Sequence, residues 1–159
     1  NDYPAIDVSG CTLLQTIDCG YSDKTLETLN VTGCSSLKTL VINDSKLREL
    51  DLAGCPSLVT LTCEHGALQS LDLSPCKALS ELNCNKNELT QLDISCCPEI
   101  TTVEVPYNRL SEIDARANKN LEKLDVTYNE AGMNIYLLES HKAWPFELKK
   151  DHDANVFYE

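Results

Sequence analysis

Five cysteines, Cys11, Cys34, Cys55, Cys76 and Cys97, follow one another at intervals of 23, 21, 21 and 21 residues. Three more, Cys19, Cys63 and Cys84, form a second series in which Ile42 and Val105 fill the remaining places. Thiols in such an array could ligate a metal, pair as disulfides or pack as small apolar groups. Zinc sites use clustered pairs such as C-x2-C, and an even column offers no tetrahedral closure. Stacked in-register side chains sit about 4.8 Å apart, whereas bridged Cβ atoms approach to about 3.8 Å. Nine cysteines is also an odd number, which excludes a fully paired framework. Replacement by Ile and Val within one series points to buried, apolar thiols. Cys96 alone falls off both series, beside Cys97, and is expected to point outward as the one candidate reactive thiol.

Two polar series have the same step. Asp7, Asn30, Asp51, Asp72, Asp93 and Asp114 share one position. A column of carboxylates raises the question of calcium, but such a site needs six or more oxygens, and the G-G-x-G-x-D loops of calcium β-helices are absent. The expected role is therefore local hydrogen bonding by solvated side chains, with no metal. The second series, Tyr21, Asp44, His65, Lys86, Tyr107 and Tyr128, varies chemically along the column and includes three tyrosines. Packing alone favours one repeated residue type, while a recognition surface favours diversity around rigid amphipathic anchors. Tyr21, His65, Lys86, Tyr107 and Tyr128 are the candidate binding residues. Tyr107 and Tyr128, near Glu104 and Asp125, are the first expected contact patch. His65, His141 and His152 are scattered, no serine or cysteine lies in a nucleophile motif, and no phosphate loop occurs among the six glycines.

The elements that must position these residues follow from a 21-residue repeat. Copies begin at Leu37, Leu58, Leu79, Ile100 and Leu121, the last partial; an earlier one at Leu14 runs 23 residues through an insertion at Ser22-Asp23-Lys24-Thr25. Each half-copy reads L-x-x-L-x-[LIVC]-x-x-[NCSG], and apolar pairs two apart, such as Leu82 and Cys84 or Leu92 and Ile94, are strand alternation with one face buried. Strict periodicity of this length is the signature of a solenoid. A coil would hold a short strand, a turn, a second short or irregular strand and another turn, and would need its neighbours to bury its apolar face.

The run L-x-x-L-x-C-x-x-N-x-L-x-x-L-D-I at Leu79–Ile94 resembles bacterial leucine-rich repeats of the nested 21-residue, IRREKO-like type. The resemblance covers residues 3–130, with Cys where the second-half Asn usually sits. It implies a right-handed solenoid with a parallel sheet on each side, found mostly in extracellular or surface proteins and generally used for binding. It carries no catalytic residues.

The chain divides into an N-terminal partial coil (1–13), repeats (14–129) and a C-terminal cap (130–159), giving about six coils. The cap contains the only Trp and both Phe residues. Met133 to Leu138 alternates as a strand, Ser140 could start a short helix toward Lys150, and Asn155 to Tyr158 reads as a closing strand. An α+β cap is expected, with Trp144, Phe146 and Phe157 covering the last coil. The N-terminal half-coil, Tyr3 to Cys11, is less obviously closed.

The formal charge of −12 argues against nucleic acid, whose binders need a basic footprint. No apolar run approaches the roughly 18–20 residues of a membrane span. The sole methionine is Met133, so the chain reads as processed, with any export signal removed. The expectation is a monomeric, non-enzymatic protein-binding module without a cofactor, exported or at a bacterial cell surface, its acidity favouring basic partners. The rivals are a structural spacer or stalk within a larger surface protein, and a glycan-binding surface using Tyr107 and Tyr128.

Overall fold

The computed structural model describes residues 4–20, 25–143 and 146–159. Tyr21, the insertion at Ser22, Asp23 and Lys24, and Trp144 of the expected aromatic cap lie outside the described residues. In chain order the elements are β1 (Ala5–Asp7), β2 (Thr16–Asp18), β3 (Thr28–Asn30), β4 (Thr39–Val41), β5 (Thr60–Thr62) and β6 (Glu81–Asn83). They continue with β7 (Thr102–Glu104), β8 (Glu112–Asp114), β9 (Lys123–Asp125), β10 (Asn134–Leu137), a 3-10 turn (Glu139–Lys142), β11 (Glu147–Lys149) and β12 (Asn155–Tyr158).

The result is a parallel β-solenoid. Its front is one seven-stranded sheet in the order β11-β9-β7-β6-β5-β4-β2. The register repeats without slippage, so that Leu40, Leu61, Leu82 and Val103 stand beside one another. Each front strand is only three residues long because one apolar residue must face inward between two polar ones before the chain turns. Leu40, Leu61, Leu82 and Val103 are all but fully buried. The back is less regular. β1 pairs with β3, and β8, β10 and β12 form a three-stranded sheet. Segments 49–51, 70–72 and 91–93, between those sheets, have no strand assignment. Leu50, Leu71 and Leu92 there retain 6%, 9% and 8% exposure, against 0–1% for Leu40, Leu61 and Leu82 in front. Grooves of about 740 Å³ beside Leu29 and Asp51 and about 470 Å³ beside Leu92 and Ile113 mark the two junctions. The front sheet is thus the closed, regular face.

The tail differs from the expected cap. β11 pairs with β9, and β12 with β10, all parallel, so residues 130–159 build a further coil instead of a separate α+β unit, and the front sheet numbers seven. Met133, Ile135 and Leu137 continue the buried ladder. The helix expected from Ser140 is a four-residue 3-10 turn, because the chain must be extended again by Glu147 to pair with Lys123. Phe157 does not join a capping cluster. On β12 the alternating residues Val156 and Tyr158 pack against the core, which turns Phe157 outward at 45% exposure. Phe146 does pack against the core, stacked on His141 at 4.9 Å between ring centroids.

The first cysteine series is a column through the interior. Cys34 and Cys55 direct their thiols at the carbonyls of Val8 and Val31, at 3.2 and 3.3 Å. Asn118 continues the column, its Nδ2 donating to the carbonyls of Ile94 and Cys97 at 2.9 and 3.0 Å. His141 follows: its Nε2 lies 3.1 Å from the Asn118 carbonyl and its Nδ1 accepts from the Leu138 N–H at 3.2 Å. That pairing fixes the tautomer with the proton on Nε2. His141 is therefore a rung of the column and not one of three scattered histidines. Cys34, Cys55, Cys63, Cys76, Cys84 and Cys97 are buried, Cys19 is half-buried, and Cys11 is exposed. Cys63 and Cys84 touch, with 2.7 Å between sulfurs, and no disulfide joins any two cysteines. Burial pushes the Cys76 thiol up to about 12 and those of Cys84 and Cys97 upward as well. Such thiols stay protonated and make poor nucleophiles and poor ligands. Cys96 is half-buried, its sulfur 3.7 Å from that of Cys97.

In the Asp series, each Oδ1 accepts the backbone N–H two residues on: Ser9 to Asp7, Ala53 to Asp51, Ser74 to Asp72, Ser95 to Asp93 and Arg116 to Asp114, all between 2.8 and 3.0 Å. These are Asx turns. The Ser9 and Ser74 N–H groups hold the carboxyls of Asp7 and Asp72 below their ordinary value. Among the described residues no group of three or more His, Cys, Asp or Glu is placed to hold a metal ion. Among the described residues no helix is long and apolar enough to cross a membrane.

Candidate binding surface

The chemically varied series lies at the turn that ends each front strand. Asp44, His65, Lys86, Tyr107 and Tyr128 all have left-handed backbone, with φ between 55° and 57°. This conformation costs an L-residue roughly 1–2 kcal/mol relative to its ordinary regions, and glycine adopts it freely. Four different residue types held there, over five successive coils, are not what turn geometry alone selects.

The turns are held from beneath by an asparagine ladder. Asn108 Nδ2 donates to the carbonyl of Cys84 in the preceding coil and to that of Val105 in its own, at 2.9 and 3.1 Å, and its Oδ1 accepts the Leu89 N–H at 3.0 Å. Asn87 does the same for Cys63, Cys84 and Leu68, and Asn129 for Val105, Val126 and Leu110. Each side chain follows one residue after a left-handed position, so the ladder fixes where Lys86, Tyr107 and Tyr128 emerge.

Above it, Tyr107 and Tyr128 stack with ring centroids 4.2 Å apart and planes inclined by 13°. They remain 46% and 59% exposed, so the stack is a ridge in solvent. Lys86 Nζ lies 5.6 Å from the Tyr107 centroid. Earlier in the column His65 Nδ1 is 3.8 Å from Asp44 Oδ1. The turn thus reads, coil by coil, as an acid with an imidazole, then an ammonium, then two phenols. Partial desolvation, the adjacent Tyr128 and the carboxylates of Asp125 and Asp151 raise the Tyr107 phenol above its ordinary value. Of the acids expected beside the tyrosines, Glu104 is paired with Lys123, while Asp125 accepts from the Thr127 N–H and hydroxyl. The structure thus brings His65, Lys86, Tyr107 and Tyr128 onto one edge; Tyr21 is outside the described residues.

A second stack was not anticipated. Tyr136 and Phe157, paired across β10 and β12, stack at 5.2 Å on the back sheet, and Arg116 lies 5.2 Å over the Tyr136 ring. Arg116 forks onto Asp114, with Nε–Oδ1 at 3.0 Å and Nη2–Oδ2 at 2.7 Å, and its Nη1 also binds Glu159. The signal was present in the sequence, because Tyr136 and Phe157 are one 21-residue step apart.

The left-handed column gives a direct test. Lys86→Gly is expected to stabilise the protein by about 1 kcal/mol, since it removes side-chain strain and only an exposed cation–ring contact. Thermal denaturation should show a midpoint about 2–4 °C higher. A lower midpoint would mean that the Lys86 side chain contributes more than its backbone costs.

No protein-family model matches the chain, and no curated protein matches it. Among solved structures it is similar to the functional domain of InlJ from Listeria monocytogenes, which includes a cysteine ladder: TM-score 0.70 and 26% identity, over 98% of this chain and 31% of that one. It is also similar to the leucine-rich repeat domain of APL1B, with TM-score 0.57 and 19% identity over 96% of this chain and 47% of that one. The second likeness is one of fold alone. The chain spans about a third of the length of the first structure and just under half of the second. The fold is the leucine-rich-repeat solenoid.

Proposed function

We propose that this solenoid is a non-enzymatic protein-binding module of an exported or surface-displayed bacterial protein, and that its binding edge is the left-handed column centred on Tyr107 and Tyr128. The observation that carries the reading is the exposed tyrosine stack, built on strained backbone and anchored by the asparagine ladder beneath it. Two phenol rings fixed against each other lose little rotamer freedom when a partner covers them, and tyrosine is among the residues that dominate interface energetics. The raised thiol values of Cys76, Cys84 and Cys97 favour a structural over a catalytic role for the cysteine columns.

The test is capture of extracellular proteins on the immobilised solenoid, with Tyr107→Ala, Tyr128→Ala and the double variant alongside. A partner held by the wild type should be lost at least about tenfold from the double variant, as for an interface anchor, with the melting temperature of the variant measured as a control. Capture that is indifferent to both substitutions would remove this edge from the binding surface. Deleting one whole coil separates the spacer reading, because a stalk tolerates a shorter stack in function as well as in folding.

A further inference from the structure

The Tyr107–Tyr128 stack is closed by a cation at one end and open at the other. Lys86 lies against Tyr107 from the preceding coil, and Tyr128 stacks on it from the following one. Among the described residues no ring or cation lies against the far face of Tyr128. What stands beside it is acid. In earlier turns the corresponding N–H meets a carbonyl of the next coil, as Tyr107 meets Thr127 at 2.9 Å. Tyr128 instead donates to the Asp151 carboxylate at 2.6 Å. Asp125 ends the adjacent strand. Neither Asp125 nor Asp151 is in an ion pair among the described residues. The neighbouring ammonium of Lys150 is turned to the backbone carbonyls of Asp151 and Ala154.

On the back sheet the chain itself seats a guanidinium on an aromatic ring between two carboxylates, at the ring that corresponds to Tyr107. Arg116 lies on Tyr136, the stack continues to Phe157, and Asp114 and Glu159 hold the guanidinium. We propose that the outer face of Tyr128, with the carboxylates of Asp125 and Asp151, is a socket for an arginine side chain of a protein partner. The inference rests on the reading of the Tyr107–Tyr128 edge as a binding surface and names the group that edge receives. Arginine suits it better than lysine because a planar guanidinium stacks on a ring while still donating in its own plane to carboxylates. The formal charge of −12 draws such a segment in.

The experiment uses three fluorescein-labelled peptides that differ only in three glycine-flanked positions, filled by arginine, lysine or norleucine. Each is titrated by anisotropy against the wild type, Tyr128→Leu, Asp151→Asn and Asp125→Asn. The arginine peptide should bind more tightly than the lysine peptide, and Tyr128→Leu should weaken it roughly fivefold. Asp151 also bonds the Tyr128 backbone, so Asp125→Asn serves as the carboxylate variant that leaves that bond intact, with thermal melts confirming that each variant is folded. Equal binding of arginine and lysine peptides, unchanged by Tyr128→Leu, would overturn the socket in favour of diffuse attraction to an acidic surface. If partner capture needs the tyrosines while the arginine peptide ignores Tyr128→Leu, the socket falls and the binding edge stands. If the arginine peptide needs Tyr128 while capture ignores both tyrosines, the socket stands and the protein-binding reading falls.

Discussion

Asn108→Ala is expected to lower the unfolding free energy by about 2 kcal/mol, because a buried polar group left unpaired costs roughly 1–3 kcal/mol. The Leu89 N–H would be orphaned outright, while the Cys84 and Val105 carbonyls would each lose one of two amide donors and keep Asn87 and Asn129. Asn108 itself is buried, so water does not reach the freed N–H without opening the turn. The loss also releases the left-handed backbone of Tyr107, which the ladder holds in place, and reduced stacking of Tyr107 on Tyr128 should accompany it. Urea denaturation measures the first effect; near-ultraviolet circular dichroism of the tyrosines reports the second. Asn120→Ala is the control. Its Nδ2 makes one exposed bond, to the Pro98 carbonyl at 3.4 Å, and its replacement should stay within about 0.5 kcal/mol. A cost for Asn108→Ala as small as that for Asn120→Ala would show that the turns stand without the ladder.

How far the sequence foretells this molecule depends on whether a residue acts within the repeat or across it. Leu61 and Leu82 stand one step apart, and that step is the register of β5 on β6, so the front sheet is legible from spacing alone. Cys76 and Cys97 are legible for the same reason. The tail is not, because the step changes. Lys123 pairs with Glu147, three residues beyond the 21-residue interval, and Lys150 occupies a place that Val105 and Val126 fill in earlier coils. The periodic signal fades there although the hydrogen bonding continues. His141 was missed for a related reason: it continues a column of cysteines and asparagine by geometry, with no shared residue type to announce it.

The candidate site shows a different limit. Position marked Lys86, Tyr107 and Tyr128 as varied and outward, but periodicity carries no sign of backbone φ or of ring stacking. Those follow from the turn geometry that Asn87, Asn108 and Asn129 enforce. Asp151 was invisible to any column argument, since it serves Tyr128 through its carboxylate where earlier coils use a carbonyl. The candidate residues are therefore legible as departures from the repeat, and the groups that complete them are found only in three dimensions.

The contrast between the two faces makes the last prediction. Leu82→Ala should cost about 4 kcal/mol, near the upper part of the range for buried leucines, and Leu92→Ala in the same coil about 2.5 kcal/mol. Leu82 is the inward residue of β6, clamped in register between Leu61 and Val103 on β5 and β7, so its neighbours cannot close over the cavity without breaking ladder bonds. Leu92 lies on the back, 8% exposed, and lines a groove of about 470 Å³ into which surrounding groups can relax. Residual cavity volume governs the cost of a large-to-small change, so the better-ordered face should be the more vulnerable one. Because each coil contacts only its neighbours, hydrogen exchange should quicken in the coils that contain Leu61 and Val103 before β11 at the far end responds. Equal costs at Leu82 and Leu92 would mean that the front sheet yields as readily as the back, and that its regularity reflects hydrogen-bond geometry without tighter packing beneath.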